Sequence, residues 1–221
     1  MEFKTMCERF TTTQIIAKEG WRNIAIVFVI FLLSCWVDFG SHVMFIVLLL
    51  FITIYRNPER IAAEDDPLAI LAPIDGKIIA IERIESNLLG DTKCLHVKIR
   101  SLPFDVSMIR SPASTNLTNV KAIHGLFLPP HKKEAEKLNE RLEINCSYKN
   151  LSFVIRIVAG VFAKKINLAK NKGSLKAGER IAFVTDGIVE LFLPFDSRIK
   201  LSIGDYVKGA ESVIGYFAYK D

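Results

Sequence analysis

Two long apolar runs lie near the start of the chain, Ile24–Val37 and Val43–Tyr55, and Asp38–His42 separates them. As a helix each run would be roughly 20 Å long, whereas the hydrocarbon core of a bilayer is ~30 Å thick. The pattern therefore predicts a helical hairpin that anchors the chain in a membrane. The alternative is a hairpin buried in a soluble core, which is less favourable because few polar positions remain for a solvated face.

Basic residues flank the two runs on both sides, with Lys18 and Arg22 before them and Arg56 and Arg60 after them. By the positive-inside rule, both ends of the hairpin then lie on the cytoplasmic face. A cleaved signal peptide is disfavoured because a second apolar run follows the first. We expect an anchor over residues 1–60 in the cytoplasmic (inner) membrane, with the body on the cytoplasmic face.

The chain after this anchor has the period-two alternation of β-strands, for example over Lys77–Ile84, Leu95–Arg100 and Phe153–Val158. Two later segments, Leu175–Phe183 and Tyr206–Phe217, resemble each other. Each has a Lys and a Gly at a turn, an acid just beyond it and an aliphatic strand. Gly at such turns supplies the positive φ that a tight hairpin needs.

The body is predicted to be mainly β, a sandwich or barrel over residues 61–221. A long excursion between about Ser111 and Glu143 interrupts the strands. Within it, Lys132–Arg141 is rich in good helix formers and predicts the one helix of the body.

The composition excludes several classes of protein. Half of the 221 residues are hydrophobic and the mean hydropathy is +0.27, which excludes intrinsic disorder. The net charge of +5 is too small to indicate nucleic acid as a partner, but it suits a domain on an anionic lipid surface. Cys7, Cys35, Cys94 and Cys146 lack the spacing of a metal site or redox motif, so we expect no zinc, no disulfide framework and a reducing compartment.

Candidate polar residues are ordinary when taken one at a time. Asp75 lies in a Pro-Ile-Asp-Gly sequence that suits a tight turn. His96 alternates with Lys98 on a predicted strand, which places it on the surface. His124 and His131 lie in the excursion, where a catalytic role and a solvent-facing one are both open.

The charged segments of the body have two interpretations. Residues 139–141, Asn-Glu-Arg, suit a solvated helix end. The densest basic stretch is either a solvated face or a patch facing phospholipid, and it contains Lys164, Lys165, Lys170, Lys172 and Lys176. The chain has no Gly-rich phosphate loop, HExxH or GxSxG sequence.

Six short motifs follow one another along the chain. They are Arg56–Arg60 (RNPER), Ala72–Ile78 (APIDGKI), Phe104–Arg110 (FDVSMIR), Asn139–Arg141 (NER), Val158–Ile166 (VAGVFAKKI) and Lys176–Arg180 (KAGER). In this order and near these spacings, after a hydrophobic hairpin, they resemble the short bacterial phosphatidylserine decarboxylases. The resemblance runs from about residue 15 to the C-terminus.

The resemblance implies a β-rich core with hairpins like those of lipoyl carriers, and a role at the membrane in phosphatidylethanolamine synthesis. Family members make their own cofactor: a Gly-Ser bond breaks by serinolysis, and the serine becomes a pyruvoyl group that forms a Schiff base with the substrate amine. On the matching motifs, Asp75 is the retained acid of the family. Asn139, Arg141, Lys164 and Lys165 are the expected substrate-binding residues.

The chain departs from the family at polar positions of the site. The segment Thr185–Ile188 is one residue shorter than usual and has no serine, and Gly187 takes the place of the motif's Gly or Ser. Ser107 replaces the family's histidine and Ile157 replaces a glutamine. We therefore expect the family fold without its pyruvoyl group.

Two functions are weighed against each other. The first is a non-catalytic relative that binds anionic, phosphatidylserine-like phospholipid, forms a homo-oligomer, or regulates an active decarboxylase by pairing with it. The second is an active phosphatidylserine decarboxylase that makes its cofactor from Ser174 or Thr185, although Thr185 would give a ketobutyryl group. A lipoyl-like carrier is disfavoured because no exposed lysine stands between two hydrophobic residues at a hairpin tip.

Overall fold

The computed structural model describes residues 15–37, 40–63, 66–90, 92–129, 132, 134–149, 151–170 and 172–218. The candidate His131, Cys7 and the first two residues of the predicted hairpin turn, 38 and 39, lie outside these ranges. The chain forms two compact units, Met1–Glu59 and Arg60–Asp221, which are described separately.

The first unit is a helical hairpin. Helix α1 spans Trp21–Val37 after a 3-10 turn at Lys18–Gly20, and helix α2 spans Ser41–Ile54. The helices pack antiparallel, because Asn23 Nδ2 donates to Tyr55 Oη at 2.7 Å near one end and the rings of Phe31 and Phe45 lie 5.8 Å apart further along. The apolar runs therefore predicted these helices to within a few residues.

Most side chains of this hairpin point outward although they are apolar. The larger exposed ones include Leu33, Trp36, Val37, Val43, Phe45 and Ile46. By length and composition the helical stretch Lys18–Val37 can cross a membrane, whereas Ser41–Ile54 is shorter. Water is a poor solvent for such a surface.

The second unit is mainly β. Its strands are β1 Ala69–Leu71, β2 Gly76–Ser86, β3 Thr92–Ser101, β4 Met108–Arg110, β5 Thr115–Ile123, β6 Arg141–Tyr148, β7 Leu151–Ala159, β8 Asn167–Leu168, β9 Gly173–Leu175, β10 Arg180–Phe183, β11 Gly187–Pro194, β12 Arg198–Ile199, β13 Tyr206–Val207 and β14 Val213–Tyr216. Helix α3 spans Ala135–Leu138, and a 3-10 turn spans Asn87–Leu89.

Antiparallel pairing arranges these strands in three open sheets. The large sheet has the order β13-β2-β3-β11-β7-β6-β5-β9, and the small ones are β1-β14-β12 and β4-β10-β8. One core joins all three sheets; it includes Ile78, Val97, Ile99, Ile155, Val189 and Leu191 from the large sheet and Ile70, Ile109, Ile181 and Ile214 from the small ones. The predicted β-rich body is thus confirmed, as stacked sheets without a closed barrel among the described strands.

The second face of the large sheet is also covered at its central strands, β3, β11 and β7. Cys94, Val154 and Phe192 form a separate apolar cluster against Leu88 and Leu89 of the 3-10 turn. His96 is buried on this face, so its predicted surface position is wrong. A period-two pattern says that His96 and the core residues face opposite ways, but it cannot say that the chain covers both faces.

The helix of the excursion is shorter than predicted. Of the described residues in this stretch, only Ala135–Leu138 (α3) are helical, and Asn139 is already extended with φ −73° and ψ 156°. Arg141 is the first residue of β6 rather than the end of a helix. The strand pairing to β5 and β7 therefore overrides the helix propensity of this segment.

The two similar segments both form tight turns, but their strands pair elsewhere. Strand β9 pairs with β5 and β10 with β4 and β8, rather than with each other. Gly178 has the expected positive φ of 78°, whereas in the second turn Ala210 has it, at 61°. Gly209 is closely packed instead, because a Cβ there would lie 3.1 Å from the Cα of Ile74.

Candidate functional site

Several motif positions meet at one edge of the large sheet. Strands β2, β11 and β6 begin at this edge and β3 and β7 end there, so that Gly187 lies opposite both Ser101 and Ala159. We call this row the site edge; it contains Asp75, Ser101, Gly187, Ala159 and Arg141. Neighbouring strands lie about 4.8 Å apart, so Asp75 and Gly187 are separated by two strand spacings, about 10 Å.

Asp75 is buried directly before β2, and both of its carboxylate oxygens are bonded. Arg60 donates to Oδ1 and, at 2.7 Å, to Oδ2, and the amide of Gly209 donates to Oδ1 at 2.8 Å. Burial alone would lower the pKa of Arg60, but the hydrogen bond and negative charge of Asp75 raise it above its ordinary value. Asp75 thus joins the start of β2 to Arg60 and to the turn before β14.

Asp186 precedes Gly187 and is buried at the site edge. Its Oδ1 lies 2.9 Å from Nη2 of Arg100, and its Oδ2 accepts from the amide of Phe162 at 3.2 Å. The same arginine donates through Nη1 to the carbonyl of Gly187 at 3.1 Å. Neither Arg100 nor Asp186 was a candidate in the sequence. The one available signal was an arginine near the end of one predicted strand and an aspartate just before another.

Gly187 is packed too tightly to carry a side chain. A Cβ at this position would lie 2.3 Å from the carbonyl oxygen of Val158, on the neighbouring strand. The only hydroxyl in residues 184–189, that of Thr185, donates to the carbonyl of Phe162 at 2.8 Å. The segment in place of the Gly-Ser motif is thus a regular start of strand β11.

Ser107, which replaces the family's histidine, lies next to this segment. It is buried, and its carbonyl accepts from the amide of Val184 at 3.0 Å. A hydroxyl cannot act as a base at neutral pH in the way an imidazole can. The structure therefore places Ser107 beside the segment that leads into β11, and neither Ser107 nor Gly187 has a side chain that can act as a general base.

Asn139 and Arg141 lie at the far end of the site edge. The amide of Asn139 is buried: Oδ1 accepts from the amide of Leu128 at 2.8 Å, and Nδ2 donates to the carbonyls of Leu128 and Ala159 at 2.9 and 2.8 Å. Arg141 donates to the carbonyl of Lys137 and lies 3.7 Å from Glu143. Both residues are thus used to hold the excursion to the sheet.

The basic candidates are exposed and do not form one patch. Lys164 and Lys165 follow β7 by a few residues and face solvent beside the site edge. Lys170 instead donates to the carbonyl of Ser174 at 2.6 Å and lies 3.2 Å from Glu179. Ser174 is exposed on β9, four strands from β11 in the large sheet.

A buried acid that was not among the candidates, Glu190, lies on the second face of the sheet. Arg156 forms an ion pair with its Oε2, and Nε2 of His96 lies 3.7 Å from the same oxygen. Lys98 lies 3.8 Å from Oε1 and reaches Glu136 of α3 at 2.6 Å. Burial alone would raise the pKa of Glu190, but these basic neighbours lower it below its ordinary value.

This cluster attaches the excursion to the sheet and is no metal site. Within the described ranges, no group of three or more His, Cys, Asp and Glu side chains could hold a metal ion. The signal for Glu190 was a single acid inside the apolar run Val189–Leu193. Such an acid must be paired when the strand is central in a sheet.

Comparison with known proteins gives one consistent result. The family model described as phosphatidylserine decarboxylase matches residues 47–215. The phosphatidylserine decarboxylase proenzyme of Burkholderia multivorans is 34% identical over 206 residues, which cover 90% of this chain and 95% of the relative. The proenzyme of Neisseria gonorrhoeae is 31% identical over 216 residues, covering 94% of this chain and 81% of the relative.

Proposed function

We propose that this chain, which belongs to the phosphatidylserine decarboxylase family, is a membrane-bound member that stays uncleaved and binds phospholipid without decarboxylating it. The family depends in general on a pyruvoyl group. That group is made from a serine of the chain itself, so the fit can be judged from the residues at the expected cleavage site.

The packing of Gly187 carries this proposal. Self-cleavage needs a serine whose hydroxyl can reach the carbonyl of the preceding residue. The chain end that cleavage creates must then be free to carry the carbonyl group of the pyruvoyl cofactor. At Gly187 a single added carbon would already lie 2.3 Å from the Val158 oxygen. The residues present therefore do not fit a pyruvoyl group at this position.

The other hydroxyls favour the same conclusion. The Thr185 hydroxyl is engaged by the Phe162 carbonyl, and the exposed Ser174 lies four strands from β11. Asp75, the acid that the family motif retains, already accepts hydrogen bonds from Arg60 on both oxygens and from the Gly209 amide on Oδ1. An active decarboxylase would need these contacts rearranged.

The first unit supports the membrane setting. The apolar side chains that face outward from α1 and α2 would be stabilised by lipid, and the helical stretch Lys18–Val37 is long and apolar enough to cross the bilayer. The basic residues at both ends of the hairpin favour the cytoplasmic side for the body. Exposed Lys164 and Lys165 beside the site edge would then face anionic headgroups.

Intact-mass measurement on the purified full-length protein tests cleavage. We expect one chain of 24.9 kDa. Two chains, the smaller one blocked by a pyruvoyl group, would overturn the proposal. The Burkholderia multivorans relative, expressed and purified in the same way, is the matched control for cleavage during preparation.

Release of CO2 from carboxyl-labelled phosphatidylserine tests activity. We expect none above background from this chain, together with co-flotation of the protein with phosphatidylserine vesicles. Activity that Ser174→Ala abolishes would show the atypical cleavage site instead. Failure to float with any vesicle would contradict the membrane-bound part of the proposal.

A further inference from the structure

We infer that the β-rich body has a membrane-contacting surface of its own, formed by two loops at the site edge. The loops are 102–105, after β3, and 160–165, after β7. This inference rests on the proposed membrane setting and adds the part of the body that touches lipid. We call these residues the tip loops.

The tip loops emerge side by side. Strand β11 pairs with β3 on one side and β7 on the other, and Gly187 lies opposite both Ser101 and Ala159. The two loops are therefore separated by the width of one strand, which is two spacings of about 4.8 Å. They project from the same edge of the sheet.

The tip loops carry large apolar side chains that are exposed to solvent. Phe162 is 69% exposed and Phe104 is 61% exposed, and Leu102 and Val161 beside them are also exposed. Four such residues on two loops at the same edge of the sheet are more than the scattered single exposures that are normal for a protein surface.

The exposure is not the result of loose loops. Asp105 Oδ2 accepts from the amide of Leu102 at 2.8 Å, and its Oδ1 accepts from Tyr206 Oη at 2.6 Å. In the second loop, the backbone of Phe162 is fixed on both sides, by Asp186 and by Thr185. Polar contacts therefore fix the backbone of both loops while their apolar side chains stay exposed.

Charge identifies an anionic bilayer as the occupant. Exposed Lys164 and Lys165 lie two and three residues after Phe162 in the same loop. Lysine is depleted from protein interfaces, whereas a lysine beside an inserted aromatic residue can reach lipid headgroups with its long apolar stem in the interface. The apolar hairpin of the same chain supplies an independent membrane attachment.

Tryptophan placed at a tip tests the contact in the full-length protein. The native Trp21 and Trp36 are first replaced by phenylalanine, and Phe162→Trp is introduced. The matched control is Phe195→Trp, because Phe195 follows the opposite end of β11 and is also partly exposed. Both proteins are reconstituted in vesicles of brominated phosphatidylcholine with phosphatidylglycerol.

We expect the Phe162→Trp protein to lose roughly half of its emission to the brominated chains, since interfacial residues insert 5–10 Å. The Phe195→Trp protein should lose little. Phe104→Trp provides the same measurement on the other loop if Phe162→Trp does not fold. Quenching should fall when phosphatidylglycerol is omitted, and equal quenching in neutral vesicles would overturn the role of the lysines.

The failure of this inference is distinguishable from failure of the proposed function. Flotation with no tip quenching would overturn the contact and leave the membrane-bound function standing. A blue-shifted tip tryptophan that lipid bromine does not quench would indicate a second copy of the chain on this surface, which also overturns the inference. A protein that does not float contradicts the proposed function itself.

Discussion

Arg60 and Asp75 form a two-point ion pair between the first residue of the body and the residue before β2. Arg60 also donates to the carbonyl of Gly209 at 3.1 Å, and Gly209 in turn donates to Asp75. The retained family acid is therefore part of a closed set of contacts that joins three segments far apart in sequence. These contacts should therefore stabilise the folded body.

Asp75→Asn should destabilise the body. Removing one charge of a buried pair leaves Arg60 without its partner, at a cost of about 3 kcal/mol in the free energy of unfolding. Urea unfolding in detergent measures this. Lys208→Gln, an exposed change in the adjacent turn, is the control and should cost less than about 0.5 kcal/mol. Equal effects of the two changes would contradict the structural role of Asp75.

Gly187→Ser should destabilise the body without restoring cleavage. The added side chain would overlap the Val158 carbonyl, so we expect a loss of about 2–4 kcal/mol and a single chain by intact mass. Ile188→Val, which removes one carbon next door, should cost only about 1 kcal/mol. Cleavage of the Gly187→Ser protein would show that the site can open, and would refute our account of its packing.

Glu190 should make the free energy of unfolding depend on pH in the acidic range. Its pKa is lowered in the folded state, so the folded chain binds fewer protons than the unfolded chain near the ordinary Glu pKa of about 4.3. The stabilisation from Glu190 is therefore complete above that pH and is lost as pH falls through the lowered pKa.

Unfolding of Glu190→Gln at several pH values measures this dependence. The variant should be less stable than the wild type near pH 7, but should lose less stability between about pH 5 and pH 3. Glu82→Gln, at an exposed position on β2, should keep the wild-type dependence. If the Glu190→Gln protein shows the same pH dependence as the wild type, other acidic residues govern that dependence.

Asn139→Ala should weaken the fold rather than lipid binding. Both ends of the buried amide are hydrogen-bonded, so its loss should cost about 2–4 kcal/mol, against less than about 0.5 kcal/mol for the exposed Asn119→Ala. Flotation of the folded fraction should stay at the wild-type level. Lost lipid binding at normal stability would instead support the predicted role of Asn139 in binding substrate.

Cys146 should be unreactive in the folded protein. Burial raises its pKa to about 12, so almost no thiolate forms at neutral pH, and Cys94 is also buried with a raised pKa. In a background of Cys7→Ser and Cys35→Ser, maleimide should label the protein only after unfolding. Rapid labelling of the native protein would contradict the packing of β3 and β6.

The motif order predicted a common site for residues whose individual chemistry indicates none, and that site stays a prediction. Asp75, Ser107 and Gly187 come from distant segments; Asp75 and Gly187 lie two strand spacings apart at the site edge, and Ser107 lies beside Val184. What the pattern could not predict was that Asp75 is bonded on both oxygens, since Arg60 and Gly209 reach it only in the folded chain. The same holds for Glu190, whose partners come from β3 and β7.

The sequence by itself determined the two units, the helical hairpin and the strand-rich body, because apolar runs and period-two alternation are local properties. It also determined the absence of a serine between Val184 and Val189. Only the tertiary structure decided that the central strands of the large sheet are buried on both faces, so that His96 is inside, and that Gly187 has no space for a side chain. Those outcomes depend on which strands lie beside and above each residue, and contacts between distant segments set them.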